Sequence, residues 1–139
     1  MLKFLTPDHQ FDSITDIHRR WLKKKEIHFI LLDLDRTLLA FRYKRVLPKL
    51  SAWLERKHNQ GFRFVLLSNG WSRLERLAAE WDIPCFTPFS KLLPSSCRVV
   101  MRTLHLDPQY TAVISDRTWG SIAAANLAGI RSIRIKGVR

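Results

Sequence analysis

Apolar and polar positions divide the chain into two kinds of segment. Short strand-like runs occur in "HFILLDLD", "FRFVLLSN", "TAVISD" and "IRSIRI", with a weaker one in "CFTP", and some of them contain continuous apolar stretches such as "FVLL" and "AVI". Continuous apolar runs of this length are typical of strands that are buried on both faces. The pattern therefore predicts strands at residues 28–35, 62–69, 85–88, 111–116 and 130–135.

Segments with helical patterning separate these runs. They lie at residues 13–25, 48–59, 71–82, 94–105 and 118–128. Pro48 and Pro94 suit the first turn of a helix, whereas Gly61 and Gly129 suit positions just after a helix ends. Strands and helices that alternate through short connections predict an α/β fold: a mainly parallel sheet with helices on both faces and right-handed crossovers.

The length and the composition predict a single domain. A chain of 139 residues with 46% hydrophobic and 26% charged residues is long enough to bury a core of its own over residues 1–139. Residues 1–27 form a basic segment ahead of the first core strand, and Ile14, Ile17 and Trp21 in it have the spacing of one helix face. Such a face can lie on anionic lipid, bind nucleic acid or pack against the domain, and we favour packing.

Charge and cysteine content narrow the protein class. The chain has 24 Lys and Arg against 12 Asp and Glu, a net charge of +12. This excess favours polyanionic partners, namely RNA, an anionic lipid surface or a phosphorylated substrate, although a solvated basic surface with no partner stays open. No run has the roughly 18 apolar residues of a membrane span, and Cys85 and Cys97 are too few for a disulfide framework. We expect a cytoplasmic protein and leave open a peripheral place at a membrane.

Polar residues end several of the predicted strands. Asp33 and Asp35 end the first run, Ser68 and Asn69 the second, and Asp116 the run at 111–116. The carboxyl ends of parallel strands meet at one edge of a sheet, which is where open α/β sheets bind ligands. Carboxylates gathered there repel one another, and Mg²⁺ would remove that conflict because it prefers oxygen ligands. The alternative is that the two aspartates at the end of the first strand only form a turn.

These residues resemble the motifs of the haloacid-dehalogenase-like (HAD) phosphatases. "DLDRTL" has the DxDxT form of motif I, and Ser68, Lys91 and Asp116 stand where motifs II, III and IV are expected. Over essentially the whole chain, the sequence resembles the YqeG-type branch within HAD subfamily IIIA, through "MLKFLTPD", "DLDRTLL", "WDIPCF" and "AANLAGIRSIRI". The resemblance implies a Rossmann-like HAD core with no cap domain, since no long insertion separates the motifs.

The resemblance also implies a reaction, the hydrolysis of a phosphomonoester through an aspartyl-phosphate. Asp33 would be the nucleophile, and Asp35 would first protonate the leaving oxygen and then activate water. Ser68 would hydrogen-bond a phosphoryl oxygen, and Lys91 would neutralise its charge.

The resemblance assigns the metal and the substrate contacts as well. Asp33, Asp116 and the carbonyl group of Asp35 would hold Mg²⁺. Thr37 would brace the turn after motif I, and Thr37, Ser68 and Asn69 would contact the substrate. A site without a cap is open, as in family members that act on lipid-linked or macromolecular phosphates. The branch resembles enzymes that include a phosphatidylglycerophosphate phosphatase.

Motif IV departs from the family pattern. The family has roughly Gly-Asp-Gln-x-x-Thr-Asp, whereas this chain has "SDRTWGS", which ends at Ser121 and carries Arg117 after Asp116. Lys91 is also followed by Leu92 instead of proline. The missing second acid and the added positive charge predict weak Mg²⁺ binding. Two functions stay open: an HAD-type phosphatase, or a catalytically weakened HAD domain that acts as a basic binding module for RNA or the ribosome.

Overall fold

In the computed structural model, the described residues are 3–33, 43–67, 72–86, 94–116 and 118–137. Within them the chain forms a six-stranded sheet with the order β1-β6-β5-β2-β3-β4, in which all paired strands are parallel. The strands are β1 His9–Phe11, β2 Phe29–Asp33, β3 Arg63–Leu67, β4 Cys85–Phe86, β5 Thr111–Ser115 and β6 Arg131–Ile135. The predicted α/β fold with a parallel sheet is therefore confirmed.

Five helices lie in the described ranges and cover both faces of this sheet. They are α1 Arg19–Lys24, α2 Tyr43–Asn59, α3 Ser72–Glu80, α4 Pro94–Thr103 and α5 Ala123–Ala128. Successive side chains of a strand point to opposite faces, so each central strand contributes to two separate cores. On β2, Ile30 and Leu32 face one core and Leu31 faces the other.

The larger core, which we call the Trp53 core, contains side chains from α1, α2 and α3. Trp53 is fully buried, its Nε1 donates to the Ile17 carbonyl oxygen at 3.2 Å, and its ring meets that of Phe64 edge to face at 5.5 Å. Its buried members are Ile14, Ile17, Leu22, Ile27, Ile30, Leu32, Leu50, Trp53, Leu54, Phe62, Phe64, Leu66, Ala78, Ala112, Ile114, Ile133 and Ile135.

The smaller core, which we call the Cys97 core, lies under α4 and α5. Its buried members are Leu31, Val65, Leu67, Cys97, Val100, Met101, Val113, Ala124, Ala125 and Ile130. α5 ends at the predicted stop, where Gly129 has a φ of 75° and its N–H bonds to the Asn126 carbonyl oxygen. This left-handed conformation favours glycine, and it turns the chain directly into β6.

The amino-terminal segment differs from the single helix predicted over residues 13–25. The α-helix begins only at Arg19, because Ser13 caps a separate 3-10 turn, Ile14–Asp16, in a capping box. Ile14 and Ile17 are nevertheless fully buried in the Trp53 core, so the favoured packing is confirmed. The same segment contains β1, which the sequence patterning did not predict and which pairs with β6.

Two other helices differ from their predicted bounds. α2 begins at Tyr43, so Pro48 lies inside it and does not open it. Pro48 lies beyond the first turn, so α2 lacks the hydrogen bond that an N–H at this position would make to the carbonyl group four residues earlier. The helix predicted at 118–128 begins with a π-helical turn, Thr118–Ile122, before α5. In the described residues no helix is both long and apolar enough to cross a membrane.

Candidate active site

Two of the predicted site carboxylates lie at the carboxyl edge of the sheet. Asp33 is the last residue of β2, and its side chain is 1% exposed. β2 and β5 are parallel neighbours, with Asp33 opposite Ser115, and Asp116 follows directly after β5. The shared edge that was expected for Asp33 and Asp116 is therefore observed, and it results from the parallel pairing of the two strands.

Ser121 contacts the Asp33 carboxylate directly. The Ser121 hydroxyl donates a hydrogen bond to Asp33 Oδ2, and Ser121 is fully buried. The residue belongs to the π-helical turn Thr118–Ile122, which packs against β5, β6 and α5. A wider turn of this kind is frequent at functional sites, and here it carries a hydroxyl to the end of β2. The contact limits the orientations of the Asp33 carboxylate.

Cys97 lies close enough to Asp33 to be influenced by its charge. Burial and then the negative charge of Asp33 raise the pKa of the Cys97 thiol, Arg98 acts in the opposite direction, and the result is a pKa of about 12. A thiol with this pKa stays protonated at neutral pH, and only the thiolate is a good nucleophile. The chemistry of this site therefore depends on the carboxylate, and Cys97 acts as an apolar packing residue.

The donors of Asp33 and Asp116 fit a hard cation. Both supply carboxylate oxygens, which are the ligands that Mg²⁺ prefers, and they come from the ends of adjacent strands. The described part of the chain contains no group of three or more His, Cys, Asp or Glu residues that could hold a metal ion. The third predicted ligand, Asp35, lies outside the described residues.

The remaining predicted site residues also lie outside the described ranges. They are Asp35, Thr37, Ser68, Asn69, Lys91 and Arg117. Their roles therefore stay predictions. In the sequence, Ser68 directly follows Leu67, the last residue of β3, and β3 is the other neighbour of β2.

The sequence patterning missed the role of Ser121. The sequence pattern presents residue 121 only as the position where motif IV of the HAD phosphatases has a second acid, and therefore as a missing carboxylate. The hydroxyl is instead a hydrogen-bond donor to the expected nucleophile. The spacing of motif IV was the signal that could have placed residue 121 at the site, but the partner of its side chain depends on the π-helical turn.

A separate groove lies at the opposite, amino edge of the sheet. It has a volume of about 1170 Å³, and Gln109 before β5 and Arg131 at the start of β6 are among the residues that line it. Arg131 Nη1 lies 2.9 Å from His9 Nε2. Burial, Arg131 and Lys25, in that order, lower the pKa of His9, and Asp8 opposes them. Of the predicted site residues that the structure describes, neither Asp33 nor Asp116 lines this groove.

Comparisons with known proteins agree with the motifs and the fold. No family model matches the chain. The chain is 26% identical over 134 residues to the "Probable phosphatase YqeG" of Bacillus subtilis (strain 168), and the match covers 96% of this chain and 78% of that protein. The crystal structure of hypothetical protein XCC2798 from Xanthomonas campestris has a similar fold, with a TM-score of 0.58.

The structural match covers 88% of this chain and 72% of the Xanthomonas protein at 13% sequence identity, so it supports the fold alone. The match to the Bacillus protein extends along nearly the whole chain and includes the segment with motif I. The resemblance to the YqeG-type phosphatases is therefore confirmed, and the protein is similar in sequence to a probable phosphatase.

Proposed function

We propose that this protein is a Mg²⁺-dependent phosphomonoester hydrolase of the HAD type that acts through an aspartyl-phosphate on Asp33. The observation that carries the proposal is the buried Asp33 carboxylate at the carboxyl edge of the sheet, hydrogen-bonded by Ser121. Burying a charged side chain opposes folding unless the charge is paired, hydrogen-bonded or bound to a metal ion. The similarity to a probable phosphatase supports this class of reaction.

In the first step, a carboxylate oxygen of Asp33 forms a bond to phosphorus while the bond from phosphorus to the leaving oxygen breaks. Asp35 gives its proton to the leaving oxygen, so the alcohol departs neutral. Ser68 and Lys91 hold the phosphoryl oxygens during the transfer. The hydrogen bond from Ser121 restricts rotation of the Asp33 carboxylate, and a restricted nucleophile reaches the productive geometry more often.

In the second step, water attacks the phosphorus atom of the aspartyl-phosphate and the bond from phosphorus to Asp33 breaks. Asp35, now a carboxylate, accepts the proton that the water loses. Inorganic phosphate leaves, Asp33 is again a carboxylate, and Asp35 is again protonated. The two carboxylates therefore return to their starting states after each turnover.

Asp33, Asp116 and the carbonyl group of Asp35 would hold the magnesium ion. When bound, Mg²⁺ supplies positive charge that offsets the repulsion between the carboxylates and the incoming phosphate. Arg117 adds positive charge to this region of the sequence, and Ser121 stands where the family has an acid. Both features favour weak binding of the ion, so we expect activity only at high Mg²⁺ concentration.

The substrate is proposed to be a phosphate on a lipid or a macromolecule. The segments between the motifs are too short for a cap domain, and an uncapped site admits phosphates that are attached to a large body. The net charge of +12 favours the approach of an anionic substrate. Phosphate release from a lipid phosphomonoester in vesicles, compared with release from p-nitrophenyl phosphate, tests this class.

The proposed reaction is tested by phosphate release with and without Mg²⁺ for wild type, Asp33→Asn and Asp82→Asn. Asp82 is an exposed carboxylate with a φ of 53°, a conformation that asparagine tolerates, so Asp82→Asn is the matched control. We expect Asp33→Asn to lower turnover at least about 10³-fold, since it removes the nucleophile, and Asp82→Asn to leave it unchanged. Wild-type levels of turnover in pure Asp33→Asn would contradict the covalent mechanism.

A second candidate is a weakened HAD domain that acts as a basic binding module. The exposed side chains of Arg19, Arg20, Lys23 and Lys24 on α1 favour it, because the apolar residues of this segment are used in the Trp53 core. This leaves a basic surface for a polyanion such as RNA. Binding of RNA that weakens steeply with salt, together with no Mg²⁺-dependent phosphate release, would favour the module over the enzyme.

A further inference from the structure

Arg134 lies level with Asp33 in the sheet. Asp33 on β2 is opposite Ser115 on β5, and Ser115 is in turn opposite Arg134 on β6. Neighbouring strands lie about 4.8 Å apart, so the backbone of Arg134 is about 10 Å from that of Asp33. The parallel register therefore aligns the three residues in one row across three strands.

The three side chains of this row share one face of the sheet. Ser132 Oγ bonds to Asn126 Oδ1 of α5 at 2.6 Å, so the side chain of Ser132 faces α5. Arg134 is two residues further along β6 and faces the same side. Asp33 is on this side too, because it accepts a hydrogen bond from Ser121 in the turn that leads into α5.

The guanidinium group of Arg134 has one buried nitrogen that no described protein group satisfies. The residue is partly buried, and its Nε is buried without a hydrogen-bond partner among the described residues. Arg131, on the same strand, instead contacts His9. A guanidinium group is always charged, and removing it from water without a partner is unfavourable. An anion at this position would supply the missing partner.

We propose that Arg134 binds a second anionic group of the substrate, a phosphate or a carboxylate, beside the phosphoryl group that reacts at Asp33. This inference rests on the proposed phosphatase function. The planar guanidinium fork pairs well with phosphate and carboxylate oxygens. The Asp33 and Arg134 backbones are about 10 Å apart and their side chains leave the same face of the sheet, so an anionic group a few bonds from the reacting phosphate would lie within reach of the guanidinium group. The substrate class is therefore a phosphomonoester that carries its second anionic group a few bonds away.

A binding experiment tests the site without any turnover. Calorimetry measures the affinity of propanediyl bisphosphonate, with phosphorus on both terminal carbons, against that of propylphosphonate, which has a single anionic group. We expect wild type to bind the bisphosphonate about 10- to 100-fold more tightly, as one charge-assisted hydrogen-bonded contact allows. Arg134→Met should abolish this preference, and Arg134→Lys should keep part of it, because lysine retains the charge and lacks the fork.

Arg131→Met is the matched control, since it removes the same charge from the same strand on the opposite face. It should keep the wild-type preference. A preference that survives in Arg134→Met, or that is lost equally in Arg131→Met, would overturn the proposal, as would equal affinities of wild type for the two probes. If Arg134→Met does not fold, as judged by circular dichroism, Arg134→Gln with the same probes decides the question.

A turnover experiment separates this inference from the function on which it rests. Phosphate release is measured from propanediol bisphosphate and from propyl phosphate, and Arg134→Met should raise KM for the bisphosphate alone. An equal change for both substrates would mean that Arg134 acts only through the fold. If wild type hydrolyses neither substrate and no other phosphomonoester, the proposed function fails, while the bisphosphonate affinities still decide whether Arg134 binds an anion.

Discussion

The Trp53 core and the Cys97 core lie on opposite faces of one sheet, yet the two faces differ in the residues they bury. The Trp53 core is made of aliphatic and aromatic side chains, and beside it the buried residue Lys57 places its ammonium group 5.8 Å from the centroid of the Trp53 ring. The face with the Cys97 core also buries the polar residues Asp33, Ser115 and Ser121 near the carboxyl edge of the sheet. Leu32 and Asp33 are consecutive on β2, so a single strand supplies the large core with one side chain and the candidate site with the next.

This difference shows how a small domain can keep a buried carboxylate. Each large apolar side chain that is fully buried contributes about 1.5–3 kcal/mol, and the Trp53 core contains many of them. Burying Asp33 and the two serines opposes folding unless hydrogen bonds compensate. The Trp53 core can therefore stabilise the fold while the opposite face provides chemistry, and variants on the two faces should separate stability from activity.

The largest effect is expected for Trp53→Ala. It removes the largest side chain of the Trp53 core, the hydrogen bond to Ile17 and the contact with Phe64. We expect the free energy of unfolding to fall by about 3–5 kcal/mol, measured by urea denaturation. Turnover per folded molecule should not change.

The counterpart on the other face is Asp33→Asn, which should abolish turnover and leave the free energy of unfolding within about 1 kcal/mol of wild type.

Trp53→Phe keeps most of the apolar volume and serves as the milder control for Trp53→Ala. A loss of turnover per folded molecule in Trp53→Ala, alongside its loss of stability, would show that stability and activity are not separated between the two faces.

A smaller effect is expected at the proposed Mg²⁺ site. Ser121→Asp restores the acid that the family has and places a carboxylate beside Asp33, an arrangement that a cation stabilises. We expect Mg²⁺ affinity to rise about 10- to 100-fold, measured by calorimetry. Ser121→Asn has nearly the same size without the charge and should not produce this gain. Equal Mg²⁺ affinity in wild type and Ser121→Asp would show that Ser121 does not weaken the site.

The smallest effect concerns a titratable group on the Trp53 side of the sheet. His9 contacts Trp21 edge to face at 4.8 Å, and burial, then Arg131 and Lys25, lower its pKa from 6.5. The unfolded chain therefore binds the proton more readily than the folded protein does. Protonation of His9 should lower stability as the pH falls below 6.5 and should have no effect above that value.

Urea midpoints between about pH 5 and pH 7.5 measure this effect. His9→Gln cannot gain the charge, so its stability should fall less than that of wild type on acidification. His18→Gln is the control, because His18 is exposed. If the urea midpoint of His9→Gln fell with pH as steeply as that of wild type, the destabilisation at acidic pH would arise from other groups.

The sequence-based predictions were accurate for elements that their own residues determine, and they failed for elements that depend on contacts with distant parts of the chain. β2, β3 and β5 were predicted, because continuous apolar runs need burial on two faces whatever surrounds them. β1 was missed, because its three residues have no such run and form a strand only by pairing with β6. The start of α2 was predicted at Pro48, because proline favours a first turn, but the helix continues through it.

The same distinction applies to the candidate site. From the sequence alone, Asp33 and Asp116 could be placed at the carboxyl ends of two strands, because each stands at the end of an apolar run in an alternating α/β pattern. The tertiary structure was needed to show that these strands are neighbours, that Ser121 donates to Asp33 and that Arg134 shares the row of Asp33. These relations join residues that lie far apart in the chain, and they depend on strand register and on a π-helical turn. Strand pairing and packing set both features, whereas local patterning carries no information about either.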